Sequence, residues 1–137
     1  MGARARTYDE IAEGDAGPPI SHTLTRTDLV MYAGASGDFN PMHTDEVAAK
    51  DAGLPSVFGH GMFTAGLLAT AVTDFVGLGT LTSYRVRFTK QTWPGEVLTT
   101  NVTVTEKRPG NEVVLECAVV NEHGEAKITG VAVAVLP

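Results

Sequence analysis

The 137-residue sequence contains a single cysteine, Cys117, so it can form no internal disulfide. Cys117 lies in the strand-like run Val113–Val120 and is expected to be a buried structural thiol, because a reactive thiolate needs an accessible, electropositive setting. Basic residues are scarce, with ten Lys and Arg against sixteen Asp and Glu and a formal net charge of -6. That balance excludes general nucleic-acid binding, which rests on clustered cations facing phosphates. Long apolar runs are missing as well. The richest stretch, residues 61–76, is interrupted by Thr64, Thr70, Thr73 and Asp74, and it falls short of the roughly 20 apolar residues of a membrane span. Arg4 and Arg6 are followed by no apolar segment, so the start does not read as a secretory signal and the cytoplasm is the expected compartment. A Gly-x-Gly-x-x-Gly motif is absent, as is any Cys/His or carboxylate cluster at metal-ligand spacing, so neither a metal nor another cofactor is expected.

What remains is an ordinary globular composition, 43% hydrophobic and 19% charged, at a length typical of one core. Residues 1–137 are therefore read as a single domain, with 1–15 as an irregular N-terminal arm. Residues 20–24 alternate like a short strand. Thr25 or Thr27 can cap a following helix, with Asp28 in its first turn, Leu29, Tyr32 and Ala33 on one face, and Gly37 at its end. Thr44 is placed to cap a second, short helix through Lys50. Residues 61–76 mix Ala and Gly with Leu, Val and Phe around nearly the whole circumference, which suits a helix inside the protein. The pattern then turns to β over 81–91, 96–107, 112–120 and 127–136, separated by turn compositions. These strands should form an antiparallel meander, or a meander with one wrapping neighbour. An α+β fold follows, a curved antiparallel sheet wrapped around a long central helix. The sheet of so small a domain cannot enclose that helix alone, so a dimer is expected.

Two segments carry chemistry. In Gly37-Asp38-Phe39-Asn40-Pro41-Met42-His43 the helix releases Asp38 into a turn stiffened by Pro41, so that the His43 imidazole can converge with the Asp38 carboxylate. A carboxylate and an imidazole sharing one water suit acid–base catalysis, since the ordinary histidine pKa lies near neutrality. Asp-x-Asn-Pro by itself is a common turn, and Asn40 suits holding that turn better than touching a ligand. The second segment, Phe58-Gly59-His60-Gly61-Met62-Phe63-Thr64, opens the long helix. Unpaired N–H groups at a helix start favour an oxygen gaining negative charge, and one such donor lowers a barrier by roughly 3 kcal/mol. His60 reads as fixing this loop or touching ligand, and Thr64 as bonding either a ligand or the backbone. His22 and His123 fall outside both segments and read as surface residues.

Tyr32, the run from Gly37 to His43, and the small Ala49 six positions beyond His43 together resemble the signature of the MaoC-like dehydratases, the (R)-specific enoyl-CoA hydratases. Met42 departs mildly from the aliphatic residue usual there. The weaker matches at residues 84–89 and Trp93-Pro94-Gly95-Glu96 resemble single-domain actinobacterial (3R)-hydroxyacyl thioester dehydratase subunits. The resemblance implies a hot-dog fold and reversible addition of water to a trans-2-enoyl thioester, with Asp38 and His43 as the catalytic pair and Gly61 supplying the oxyanion N–H. Asn40, His60 and Thr64 are the candidate substrate-binding residues. The implied partner is an acyl-CoA or acyl-carrier-protein thioester; no nucleic acid and no membrane is expected. The assembly would be a homodimer or a heterodimer with a related hot-dog subunit. A hot-dog acyl thioesterase and a dehydratase subunit dependent on its partner stay open as alternatives. An anionic thioester carrier would need a local basic patch, for which Arg85, Arg87 and Lys90, or Lys107 and Arg108, are candidates.

Overall fold

The computed structural model describes residues 4–137. Its elements are β1 (Ser21–Thr23), α1 (Arg26–Ser36), α2 (Glu46–Asp51), α3 (Gly61–Val76), β2 (Leu81–Phe88), β3 (Val97–Arg108), β4 (Glu112–Val120) and β5 (Ala126–Val135). The five strands form one antiparallel sheet in the order β1-β3-β4-β5-β2. Thus β3, β4 and β5 form the meander, while β2 wraps across to pair with β5 instead of its sequence neighbour β3. The β3–β4 turn places both Gly110 (φ 80°) and Asn111 (φ 58°) in the left-handed region. That backbone suits a tight antiparallel hairpin and explains the residue choice.

The core lies between the sheet and α3. Buried Ala65, Leu68, Ala71, Val72, Phe75 and Val76 of α3 meet Leu98, Val102 and Val104 of β3 and Leu115, Val119, Ile128 and Ala132 of β4 and β5. Alternation along β3 puts Val102 and Val104 inside and Asn101 and Thr105 outside, as a half-covered strand requires. The α+β arrangement is therefore the one the sequence implied, a hot-dog sheet around a central helix. The helix is less enclosed than its composition suggests: Met62, Gly66, Thr70 and Asp74, four residues apart, face outward. Among the described residues no helix is long and apolar enough to cross a membrane.

Several local expectations shift. The α2 cap is Asp45, not Thr44, because the Asp45 carboxylate accepts from both Val47 and Ala48 N–H at 3.0 and 3.1 Å. Strand β2 ends at Phe88 rather than Gln91, since the Thr89 and Lys90 N–H groups both donate to the Lys127 carbonyl and the chain leaves the ladder. Residues 1–3 of the expected irregular arm lie outside the described residues. Within the rest of that arm, Tyr8–Glu10 forms a 3-10 turn and Ile11 is buried. Lys107 Nζ donates to the Tyr8 and Ile11 carbonyls at 2.8 and 2.7 Å. Cys117 is buried, and that burial pushes its thiol up to about 11.

Candidate active site

Helix α1 delivers the first half of the site. Thr25 and Asp28 cap it reciprocally, and Gly37 ends it in the left-handed conformation (φ 77°), which costs a residue without Cβ nothing. The chain then folds on its own side chains: Asp38 N–H donates to Ser36 Oγ (3.1 Å), Asn40 N–H to Asp38 Oδ1 (3.2 Å), and Met42 N–H to Asn40 Oδ1 (3.1 Å). Pro41 opens a single 3-10 turn, Pro41–His43, that swings His43 inward. The His43 side chain is 9% exposed and that of Asp38 52%, with Nε2 and Oδ2 3.9 Å apart. The pair thus joins a buried imidazole to a carboxylate open to solvent, at a separation too long for a direct hydrogen bond.

The ring of His43 is held from behind. Its Nδ1 lies 2.7 Å from the Phe58 carbonyl, which can only accept, so Nδ1 carries the proton and Nε2 offers its lone pair toward Asp38 in the neutral ring. His60 stacks on His43 with ring centroids 3.8 Å apart and planes at 27°, and Tyr32 meets His60 edge-on at 4.9 Å. Nε2 of His60 donates to the Asp38 carbonyl at 3.1 Å, tying the second motif to the first. Burial holds His60 below the ordinary histidine pKa, against the opposing pull of that hydrogen bond. Its Nδ1 is buried with no partner among the described residues. Asp38, His43 and His60 bring potential ligand atoms within 4.8 Å of one another, a cluster that sequence spacing does not reveal. Two of the ring nitrogens in this cluster are already engaged, His43 Nδ1 by the Phe58 carbonyl and His60 Nε2 by the Asp38 carbonyl.

Helix α3 delivers the second half. His60 is its N-cap without a side-chain cap bond, and the Gly61 and Met62 N–H groups find no acceptor among the described residues. Such donors carry the positive end of the helix. Beside them is a cavity of about 320 Å³, lined by Phe58, Gly59, Gly61, Thr64, Phe88 and Thr92, among others. Thr64 is 2% exposed and its hydroxyl has no partner among the described residues, so it is free to meet an occupant of the cavity. A Cβ on Gly61 would lie 2.9 Å from the half-exposed Phe88 ring, which shows how closely β2 approaches the helix start. A larger hollow of about 700 Å³ lies on the outer sheet face, bounded by Arg85, Arg87, Asn101, Thr103 and Glu116, and it touches neither motif.

The fold therefore brings Asp38, His43, His60 and Asn40 into one cluster and sets Gly61 and Thr64 on the adjoining cavity. The side chains of Asn40 and His60 are engaged in holding the Asp38 turn, while the Thr64 hydroxyl is not engaged. His22 is not a detached surface residue: it bonds Asp28 at 2.8 Å, and its ring lies 5.8 Å from that of Phe63. His123 is exposed. Of the basic candidates, Lys107 is occupied by backbone carbonyls, Arg108 pairs with Glu106 and Glu112, and Lys90 pairs with Glu125 at 3.4 Å. Sequence reasoning missed the Phe58 carbonyl and the buried Lys127 on the cavity wall; a backbone acceptor has no letter of its own, and a lysine at a strand start gives no sign of burial.

Comparison with known proteins gives the family and the fold. A family model described as a MaoC like domain matches residues 11–126. The chain is 36% identical over 108 residues to 3-hydroxyacyl-thioester dehydratase Y of Mycobacterium tuberculosis, a match covering 76% of this chain and 37% of that protein. It thus spans little more than a third of that relative's length. It is also 27% identical over 132 residues to the (R)-specific enoyl-CoA hydratase of Rhodospirillum rubrum, covering 95% of this chain and 91% of that one. Among solved structures, the R-hydratase PhaJ1 of Pseudomonas aeruginosa superposes with a TM-score of 0.88 at 28% identity, covering 96% of this chain and 85% of the other.

Proposed function

The chain belongs to the family of MaoC-like domains, and from that premise we propose that it adds water reversibly to a trans-2-enoyl thioester, giving the (R)-3-hydroxyacyl thioester. One observation carries the proposal: Asp38 Oδ2 and His43 Nε2 stand 3.9 Å apart, and the Phe58 carbonyl keeps the His43 proton on the far ring nitrogen. Two acceptors at that spacing suit one water held about 2.8 Å from each. In hydration the water oxygen attacks C3 while Asp38 orients it by accepting one hydrogen bond. Nε2 of His43 takes the other proton and returns it to C2 on the same face. The thioester oxygen gains enolate charge meanwhile, and the Gly61 N–H at the start of α3 is the donor that meets it. Dehydration runs these steps backward. The Thr64 hydroxyl contacts the bound thioester, and Asn40 and His60 act by holding the Asp38 turn.

Crotonyl-CoA tests the reaction class directly. Loss of the conjugated enoyl absorbance, with (R)-3-hydroxybutyryl-CoA formed and no free thiol released, is expected. Thiol release from saturated acyl-CoA without hydration would mean a thioesterase instead.

The substrate is proposed to be an acyl-CoA or acyl-carrier-protein thioester, and the whole chain to act as one catalytic domain in a homodimer. Among the described residues strand β2 has a neighbour on one side only, and eight residues of open edge ending in half-exposed Phe88 favour a second sheet. Tyr84 of this strand donates to the Ala65 carbonyl of α3 at 2.7 Å, so a copy docked there would lie beside the helix start. Native mass measurement of the purified chain should give twice the chain mass, together with hydration activity. A stable, inactive monomer that gains activity only on adding a related hot-dog subunit would replace the homodimer by a heterodimer.

A further inference from the structure

Lys127, the second residue of β5, is 2% exposed and takes no part in the chemistry above. A buried ammonium persists only when its donors are matched. Here Nζ donates to the Gln91 carbonyl (2.9 Å) and to Glu125 Oε1 (2.7 Å), and lies 2.9 Å from Glu96 Oε2, which accounts for its three protons. Glu96 passes the constraint on, accepting from Trp93 N–H and from Asn121 Nδ2, both at 2.7 Å. The Lys127 carbonyl meanwhile accepts from Thr89 and Lys90 N–H. The connection between β2 and β3 is thus pinned at its start, middle and end to one lysine.

That connection supports the catalytic histidine. The Thr92 carbonyl accepts Gly59 N–H at 2.8 Å, and the Trp93 ring meets the Phe58 ring edge-on at 5.9 Å. Between these two anchors lies the Phe58 carbonyl that holds His43 Nδ1. We infer that Lys127 is a positioning residue which, by clamping residues 89–96, fixes the Phe58–Gly59 peptide and with it the tautomer and aim of His43. With its donors engaged and its side chain 1% exposed, it has no capacity left for an anionic ligand.

The inference rests on His43 acting in the proposed reaction, so its test reads His43 independently of turnover. The readout is the downfield proton NMR signal of His43 Nδ1–H, assigned by its absence in His43→Ala, alongside kcat and KM for crotonyl-CoA. Lys127→Met should broaden or shift that signal and lower kcat about tenfold or more, as small misplacements of a reacting group do. Lys127→Arg should restore part of both. Should Lys127→Met fail to fold because Glu96 is left buried without a counter-ion, Lys127→Met with Glu96→Gln removes both charges and should show the same loss. A folded variant of either kind with the wild-type His43 signal and kcat would overturn the inference and leave Lys127 a stabilising residue alone. If the wild-type chain hydrates no enoyl thioester, the proposed reaction fails, while the NMR comparison still decides whether Lys127 holds His43.

Discussion

His43 and His60 are stacked histidines with opposite duties, separated by what their ring nitrogens touch. His43 keeps Nε2 toward Asp38, whereas His60 gives its Nε2 proton to the Asp38 carbonyl and buries Nδ1. Burial lowers the pKa of His60 in the folded chain, so below its ordinary value of 6.5 the unfolded chain binds a proton that the folded chain refuses. Stability should therefore fall as pH drops from 6.5 toward the depressed folded value, and be fully present above 6.5. Denaturant midpoints measured between about pH 5 and 8 should show this slope in the wild type and a flatter one in His60→Gln. Equal slopes would mean that His60 is not held neutral. At this scale the convergence of Asp38, Asn40 and His43 was legible because side chains at fixed offsets along a turn are brought together by that turn's own hydrogen bonds. The partners that aim them, the carbonyls of Phe58 and Asp38, were not, since every residue carries a carbonyl and only the fold selects one.

The second motif carries two glycines with different neighbours. A Cβ on Gly59 would stand 2.2 Å from Thr92 Oγ1 and 3.1 Å from Leu24, both in buried residues, whereas on Gly61 it would meet only the half-exposed Phe88 ring. Gly59→Ala should accordingly destabilise the chain by about 1–3 kcal/mol, the usual range for overpacking. Gly61→Ala, where one ring can swing away, should cost less than about 1 kcal/mol. Urea denaturation of the two variants checks the order, and a Gly61→Ala cost equal to or above that of Gly59→Ala would contradict it. The long helix and the β4 limits were legible because apolar content and turn residues bound them sharply. The end of β2 was not, because Thr89-Lys90-Gln91 is acceptable strand sequence and only the paired bonds to the Lys127 carbonyl draw it off the ladder. Nor was the α2 cap, for Thr44 and Asp45 are both good caps and the carboxylate reaches two N–H groups at once.

At the scale of the whole molecule, the sheet has one covered and one open face, and both halves of the site lie where α3 begins against the covered face. A curved antiparallel sheet around a central helix was legible from a buried helix followed by four strands, and the family resemblance implied that it is a hot-dog fold. The place of β2 beside β5 was not, because pairing across the sheet leaves no mark in local periodicity. The outward stripe of α3 and the open edge of β2 show where a lone chain of this size stops covering its own helix. These features support the proposal that one carboxylate and one imidazole act on one water. Steady-state hydration of crotonyl-CoA by the wild type, Asp38→Asn and His43→Ala, each verified as folded by circular dichroism, tests that proposal most directly. Each variant is expected to lose at least ~100-fold in kcat/KM, and near-wild-type turnover by both would contradict the assignment of Asp38 and His43 as the catalytic pair.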